Sequence, residues 1–272
     1  MSEPVLPDDP ALPHQPALPD PALPDPALPD APLLPASPPA ALGGLGPAVL
    51  RLTTVQRAWP PRRPARVVRP GPAHGLEEGA AVADALVDEG ADLVVVPGGG
   101  PTGPALAALA VLLDLEPVGA VGTTAVPGWA ALVGQVRDGL RAGRDSRGDP
   151  ARLLEVLEAT ELAGLTGTIT RCVARRTPVL LSGAADVWAA ALLAERRTPG
   201  TWTGLLAGCS PPPGAAALAR AELGLAPVLD LHLAAPEGAE LALGVLLGGI
   251  DLLHAQLAVA QAGPGPGGPP GA

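Results

Sequence analysis

The stretch Asp92-Leu-Val-Val-Val-Pro-Gly-Gly-Gly-Pro-Thr-Gly103 sets the strongest limit on what this chain can fold into. A short apolar run, Leu93 to Val96, stops at Gly98-Gly99-Gly100, and an Ala/Leu-rich helical pattern starts near Pro104. Strand, glycine loop and helix in that order form the unit of α/β nucleotide-binding proteins. Glycines let backbone amides approach a phosphate, and a helix N-terminus favours an anion. The loop has no Lys, so it is not a Walker loop, and its spacing is not the dinucleotide fingerprint. The plainer reading is a βα turn that needs room for a tight bend.

The same alternation continues along the chain. Arg66-Val-Val68 reads as a short strand, and Leu76 to Glu89 as a helix stopped by Gly90. Helix Ala105 to Leu113 is followed by a short apolar run, Val118 to Val121, which reads as a strand ending in Gly122-Thr123-Thr124. Pro127 to Arg141 is helical. Asp149-Pro150 has the N-cap and first-position chemistry of a new helix, and a further helix spans Leu162 to Arg175. Pro178 to Leu181, Thr203 to Ala207 and Pro227 to Leu231 are strand-like, separated by helices Ala185 to Arg197 and Ala215 to Leu223. Glu237 to Ala262 forms a long helix, with Gly248-Gly249 as the place for a break or bend. The pattern predicts an α/β fold, a doubly wound, mostly parallel, Rossmann-like sheet with helices packed at the termini.

Two flanks differ from this body. Residues 1–40 repeat Pro-Ala-Leu-Pro-Asp from Pro16 to Asp30, which predicts a disordered, extended Pro-rich arm. Residues 263–272 are Gly/Pro-rich and read as a disordered tail. Residues 41–262 are then the α/β domain, opened by an amphipathic helix from Ala41 to Ala58. Arg57, Arg62, Arg63, Arg66 and Arg69 cluster after that helix and could meet a phosphate or an acidic neighbour, or form a solvated linker.

Composition narrows the function classes. The net charge of −10 argues against nucleic acid as partner. The 272 residues include no Phe, Tyr, Lys or Asn, a usage that reads as genome base bias. The core must therefore be built from Leu, Val and Ala with four Trp. Cys172 and Cys209 are far apart, so buried free thiols in a reducing cytosol are expected rather than a disulfide or a metal site. No apolar run reads as a clean membrane span, and no secretory signal is evident, so no membrane partner and a cytoplasmic location are expected.

Right-handed crossovers place all strand C-termini on one edge, where such sheets bind ligands. That edge carries Gly98 to Thr102, Thr123-Thr124, Ser182, Cys209-Ser210 and His232 to Glu237. Ser182, His232 and Asp230 could be drawn as a hydrolytic triad, but the nucleophile elbow is absent. Glu237 reads either as a general base or as a first-turn acid that complements a helix dipole.

Residues from about Glu77 to Val259 resemble the nicotinate-nucleotide–dimethylbenzimidazole phosphoribosyltransferase family. The resemblance rests on Glu161-Leu-Ala-Gly-Leu-Thr-Gly167, Arg175-Arg-Thr-Pro-Val-Leu-Leu-Ser-Gly183 and Ala221-Glu-Leu-Gly-Leu-Ala-Pro-Val-Leu-Asp-Leu231, with Ala41 to Gln56 similar to the family's N-terminal helix. It implies transfer of phosphoribose from nicotinate mononucleotide to an azole base in cobalamin lower-ligand assembly. It also implies no cofactor, no metal and a homodimer, with a small-molecule nucleotide and an azole base as partners. Glu237 is the implied catalytic base, and Gly98, Gly99, Gly100, Thr102, Gly103, Gly122, Thr123 and Ser182 the implied phosphate and substrate contacts.

The chain also departs from the family pattern. The loop Glu is Gly98, Asn-Thr-Thr is Gly103-Pro104-Ala105, a helix Lys is Gln135, and the Asp of the Asp-Gly strand end is Ser182. The catalytic Glu falls on Ala235 when aligned from the helix, and on Glu237 after a shift of two residues. The family's Asp-His-Gly segment has no counterpart between Arg66 and Glu77. A second reading follows: a non-catalytic member that binds a nucleotide, a base or a partner subunit.

Overall fold

The computed structural model describes residues 40–99, 102–122, 128–233 and 237–262. Of the arm 1–40 only the last residue falls within them, and the tail 263–272 lies outside. The chain opens with a 3-10 segment, Ala40–Leu45, and helix α1, Gly46–Gln56. Strand β1 (Val67–Val68), helix α2 (Leu76–Asp88) and strand β2 (Leu93–Pro97) follow. Five helices then run in succession: α3 (Gly103–Leu113), α4 (Pro117–Val121), α5 (Trp129–Gly143), α6 (Pro150–Val156) and α7 (Thr160–Ala174). Strand β3 (Val179–Ser182), helix α8 (Ala185–Arg197), strand β4 (Leu205–Cys209), helix α9 (Ala215–Glu222), strand β5 (Pro227–Leu229) and helix α10 (Glu237–Ala262) complete it.

All five strands are parallel, and their order in the sheet is β1-β2-β3-β4-β5. The α/β class and the parallel sheet agree with the sequence pattern. The winding differs in one respect, because the strand order never reverses. With right-handed crossovers throughout, every connecting helix falls on one face. Val94, Val96, Val179, Leu181, Leu205 and Ala207 meet those helices in the larger core. Leu93, Val95, Leu180, Leu206 and Val228 face the other way, against Leu52 of α1 and Ala242, Leu246 and Ile250 of α10. The terminal helices thus close the second face. Strands buried on both sides must be apolar throughout, which is why they read as unbroken runs rather than alternating ones.

Capping follows local chemistry. Thr102 accepts from the Ala105 amide at 3.4 Å, and Asp149 accepts from Arg152 N at 3.0 Å. The tightest contact between helices joins α2 to α7. A Cβ at Gly79 would lie 2.0 Å from Gly164 O, one at Gly167 2.1 Å from Leu76 O, and one at Gly164 2.0 Å from Ala73 O in the segment before α2. The hydroxyl of Thr168 donates to Gly79 O at 3.0 Å across the same contact. The glycines of the Glu161–Gly167 stretch therefore exist to let two backbones approach.

Several elements differ from the sequence reading. Val118 to Val121 is not a strand but belongs to helix α4. Pro117 at its first position fixes a helical φ, and Val118 stays half exposed instead of entering the sheet. Helix α10 runs unbroken past Gly248-Gly249. Its bare backbone there admits Leu45, whose Cδ1 would lie 2.9 Å from a Cβ on Gly249. The first part of the Ala41–Ala58 helix is a 3-10 segment, and β4 begins two residues later than its apolar run. A membrane-length run does exist: Glu237–Gln261 has a mean hydropathy of 1.6 over 18 residues. Here α10 lies across the sheet with Ala239, Ala242, Leu246, Ile250 and Leu253 buried.

Candidate functional site

The carboxyl edge forms where β2 and β3 end side by side. Pro97 pairs with Ser182, and the Gly98 amide donates to Ser182 O at 2.8 Å. The next amide, Gly99 N, donates to Asp186 Oδ2 at 2.8 Å. Asp186 sits in the first turn of α8 and is half-buried. Its other oxygen, Oδ1, is buried without a hydrogen-bond partner among the described residues. Burial pushes its carboxyl pKa up, opposed by the amides of Gly99 and Val187. A Cβ at Gly98 would lie 2.5 Å from Ala184 N and 2.9 Å from Oδ1. The backbone before α8 and the carboxylate of Asp186 together fill the space from which a side chain at position 98 would grow.

Ser182 is fully buried, and its Oγ also lacks a hydrogen-bond partner among the described residues. Beside it, the Cys209 thiol donates to Gly238 O at 3.2 Å, and burial raises its pKa. A Cβ at Gly238 would reach Ser182 Oγ at 3.3 Å and Cys209 Sγ at 3.4 Å. The first turn of α10 thus rests directly on the ends of β3 and β4. Glu237, one residue earlier, is exposed and makes no hydrogen bond or ion pair with another described residue.

The other expected residues are spread around this centre. Thr102 spends its hydroxyl on capping α3, and Gly103 packs against Gln135. Gly122 ends α4 with φ 81°, and its carbonyl accepts from Trp129 Nε1 at 3.0 Å. Gly100 and Thr123 lie outside the described residues, as does Ala235. The triad drawn from Ser182, His232 and Asp230 does not assemble. Asp230 accepts instead from Ser210 Oγ at 2.6 Å, and His232 Nδ1–H donates to Pro211 O at 3.0 Å. No cluster of three His, Cys, Asp or Glu side chains suited to a metal occurs among the described residues.

Asp186 is the residue that the sequence pattern alone passed over. It follows the strand-end pair Ser182-Gly183 by three positions, where an acid ordinarily complements a helix dipole. Only the parallel pairing of β2 with β3 carries it to a loop 87 residues away.

Fold and edge together define an open parallel α/β protein whose carboxyl edge gathers a glycine loop, a hydroxyl and a carboxylate. Residues 71–263 match the family described as Phosphoribosyltransferase, and the chain belongs to that family. The nicotinate-nucleotide–dimethylbenzimidazole phosphoribosyltransferase of Mycobacterium avium is 41% identical over 195 residues, covering 69% of this chain and 56% of that protein. The protein of the same name from Mycobacterium tuberculosis is 39% identical over 198 residues, covering 70% of this chain and 55% of its own length. Among solved structures, CobT from Thermus thermophilus superposes with a TM-score of 0.55 at 30% identity, over 68% of this chain and 59% of that one. The chain thus spans little more than half the length of the relatives it matches.

Proposed function

We propose that this chain transfers phosphoribose from nicotinate mononucleotide to an azole base of the dimethylbenzimidazole type. The observation that carries the reading is the carboxylate of Asp186 at the glycine loop. The family's loop Glu is Gly98 in this chain, and Asp186, in the first turn of α8, brings a carboxylate to the same loop. Glu237 takes the azole proton, the freed ring nitrogen forms a bond to the ribose C1, and nicotinate leaves with the electron pair of the broken bond. The amides at Gly100 and Gly103, with Gly122, Thr123 and Ser182, bind phosphate and sugar, while Gly98, Gly99 and Thr102, whose amides and hydroxyl are bonded within the protein, shape the loop. The reaction requires base, cradle and slot within tight geometric limits. We also assign the protein to the cytoplasm and to a homodimer formed through α10.

Chromatographic detection of nicotinate released in the presence of dimethylbenzimidazole tests this directly. Release by the wild type, with loss of turnover but retained binding in Glu237→Gln, supports the assignment. No release from folded protein rejects it.

A second reading, a non-catalytic member that binds a nucleotide or a base, has its own observation. The first turn of α10 rests on Ser182 and Cys209 and occupies part of the edge that a substrate would use. Binding of nicotinate mononucleotide without turnover is its signature.

A further inference from the structure

A second charged feature lies at the opposite, amino-terminal edge of the sheet. Residues that precede β1, β2 and β3 frame a cleft of about 510 Å³, lined by Arg57, Arg62, Arg63 and Arg176. A single carboxylate, Asp92, shares the lining. Its Oδ2 already accepts from Ala65 N at 2.9 Å and Arg66 N at 3.2 Å. Four arginines lining one cleft stand out in a chain of net charge −10.

One of these four and two further arginines of the region are neutralised. Arg63 pairs with Asp251 at 3.0 Å, Arg66 with Glu89 at 2.7 Å, and Arg69 with Glu240. Arg57, Arg62 and Arg176 have no side-chain partner among the described residues. Two of the three are also held in an unusual backbone state. Arg57 has φ 50° and Arg176 φ 59°, the left-handed region in which glycine is favoured. Each follows the end of a helix, where a cation complements the dipole. That explanation does not reach Arg62, which belongs to no helix. Its backbone is clamped by Gln56, whose Oε1 accepts from Arg62 N at 2.7 Å and whose Nε2 donates to Arg62 O at 3.0 Å.

We propose that this cleft binds a small, multiply charged phosphate, a diphosphate or phosphorylated metabolite, at a site separate from the carboxyl edge. Guanidinium forks match phosphate oxygens in pairs, and a cleft of this volume suits a small ligand. No aromatic side chain lines it, so nothing stacks on a nucleobase. The ligand is recognised by charge, and its binding weakens as salt screens exposed arginines.

Calorimetric titration of the full chain with inorganic pyrophosphate tests the site, with inorganic phosphate as the lower-charge comparison. Expected are saturable binding that is tighter for pyrophosphate, and at least tenfold weaker binding by the triple variant Arg57→Gly, Arg62→Ala, Arg176→Gly. Glycine suits the left-handed positions, so a thermal melt should show the variant folded and no less stable than the wild type. Two results would overturn the proposal: no saturable binding by the wild type, or unchanged binding by the folded triple variant. The second, above all if Asp186→Asn tightens the binding by removing a negative charge, would move the anion to the carboxyl edge.

Discussion

The amide of Gly99 donates to Oδ2 of Asp186 at 2.8 Å, across 87 residues of sequence and between the segments that follow two adjacent parallel strands. One bond ties the glycine loop after β2 to the first turn of α8. It leaves Asp186 Oδ1 buried and unpartnered at the place where a side chain on Gly98 would begin. Loop shape and carboxylate position are thus set together.

Replacing Asp186 by Asn keeps an acceptor for the Gly99 amide but removes the charge. The proposed phosphoribosyl transfer should fall about 100-fold or more, read as nicotinate release, while nicotinate mononucleotide binding is retained. Unchanged turnover would reject a catalytic part for this carboxylate.

Stability should move the other way. Burial raises the Asp186 pKa in the folded chain. The folded state therefore binds this proton more tightly than the unfolded state does. The stabilisation is complete below the ordinary carboxylate range and is lost as pH rises through that range to the raised value. Melting curves from about pH 3.5 to 7 should show Asp186→Asn gaining on the wild type as pH rises. A gap that stays constant with pH would contradict the shift.

Gly164 sits where α7 meets the backbone at Ala73, 2.0 Å from the position of an added Cβ. Gly164→Ala forces α7 away from the segment that leads into α2 and should cost about 3 kcal/mol. For a domain of this size that lowers Tm by roughly 6–12 °C. A change within about 1 °C would mean that the contact opens freely.

Cys172 and Cys209 are both buried, and burial pushes the Cys172 thiol up to about 12. Thiolate is the reactive species. At about pH 8 a disulfide reagent should titrate neither thiol in the native protein and both after denaturation. Rapid native reaction would place one of them at the surface.

Helix α10 keeps Leu241 47%, Leu252 49% and Val259 75% exposed, at spacings that put all three on one helical face. Leu252→Glu should shift the proposed homodimer to monomer in size-exclusion chromatography with multi-angle scattering. A monomeric wild type would dispose of the proposed homodimer.

Local order was legible in the sequence wherever neighbours along the chain determine it. The glycine stop after Val96, the Asp149 cap and the apolar strands all rest on interactions within a few residues. The family was legible through Glu161 to Gly167 and Arg175 to Gly183 for a related reason, since those segments carry the close α2–α7 contact and the strand β3 itself. Val118 to Val121 misled because a short apolar run suits a strand or a helix equally. Pro117 and the lack of a pairing partner decided for helix.

What the tertiary structure alone decided is long-range. It set the unreversed strand order, the closure of the second face by α1 and α10, and the separation of Ser182, His232 and Asp230 into unrelated hydrogen bonds. It brought Asp186 to Gly99, and it gathered arginines from two distant segments around one cleft. Periodicity and capping record energies between residues near in sequence. These contacts depend on how each crossover packs against the sheet, and that packing is settled only when the whole core closes.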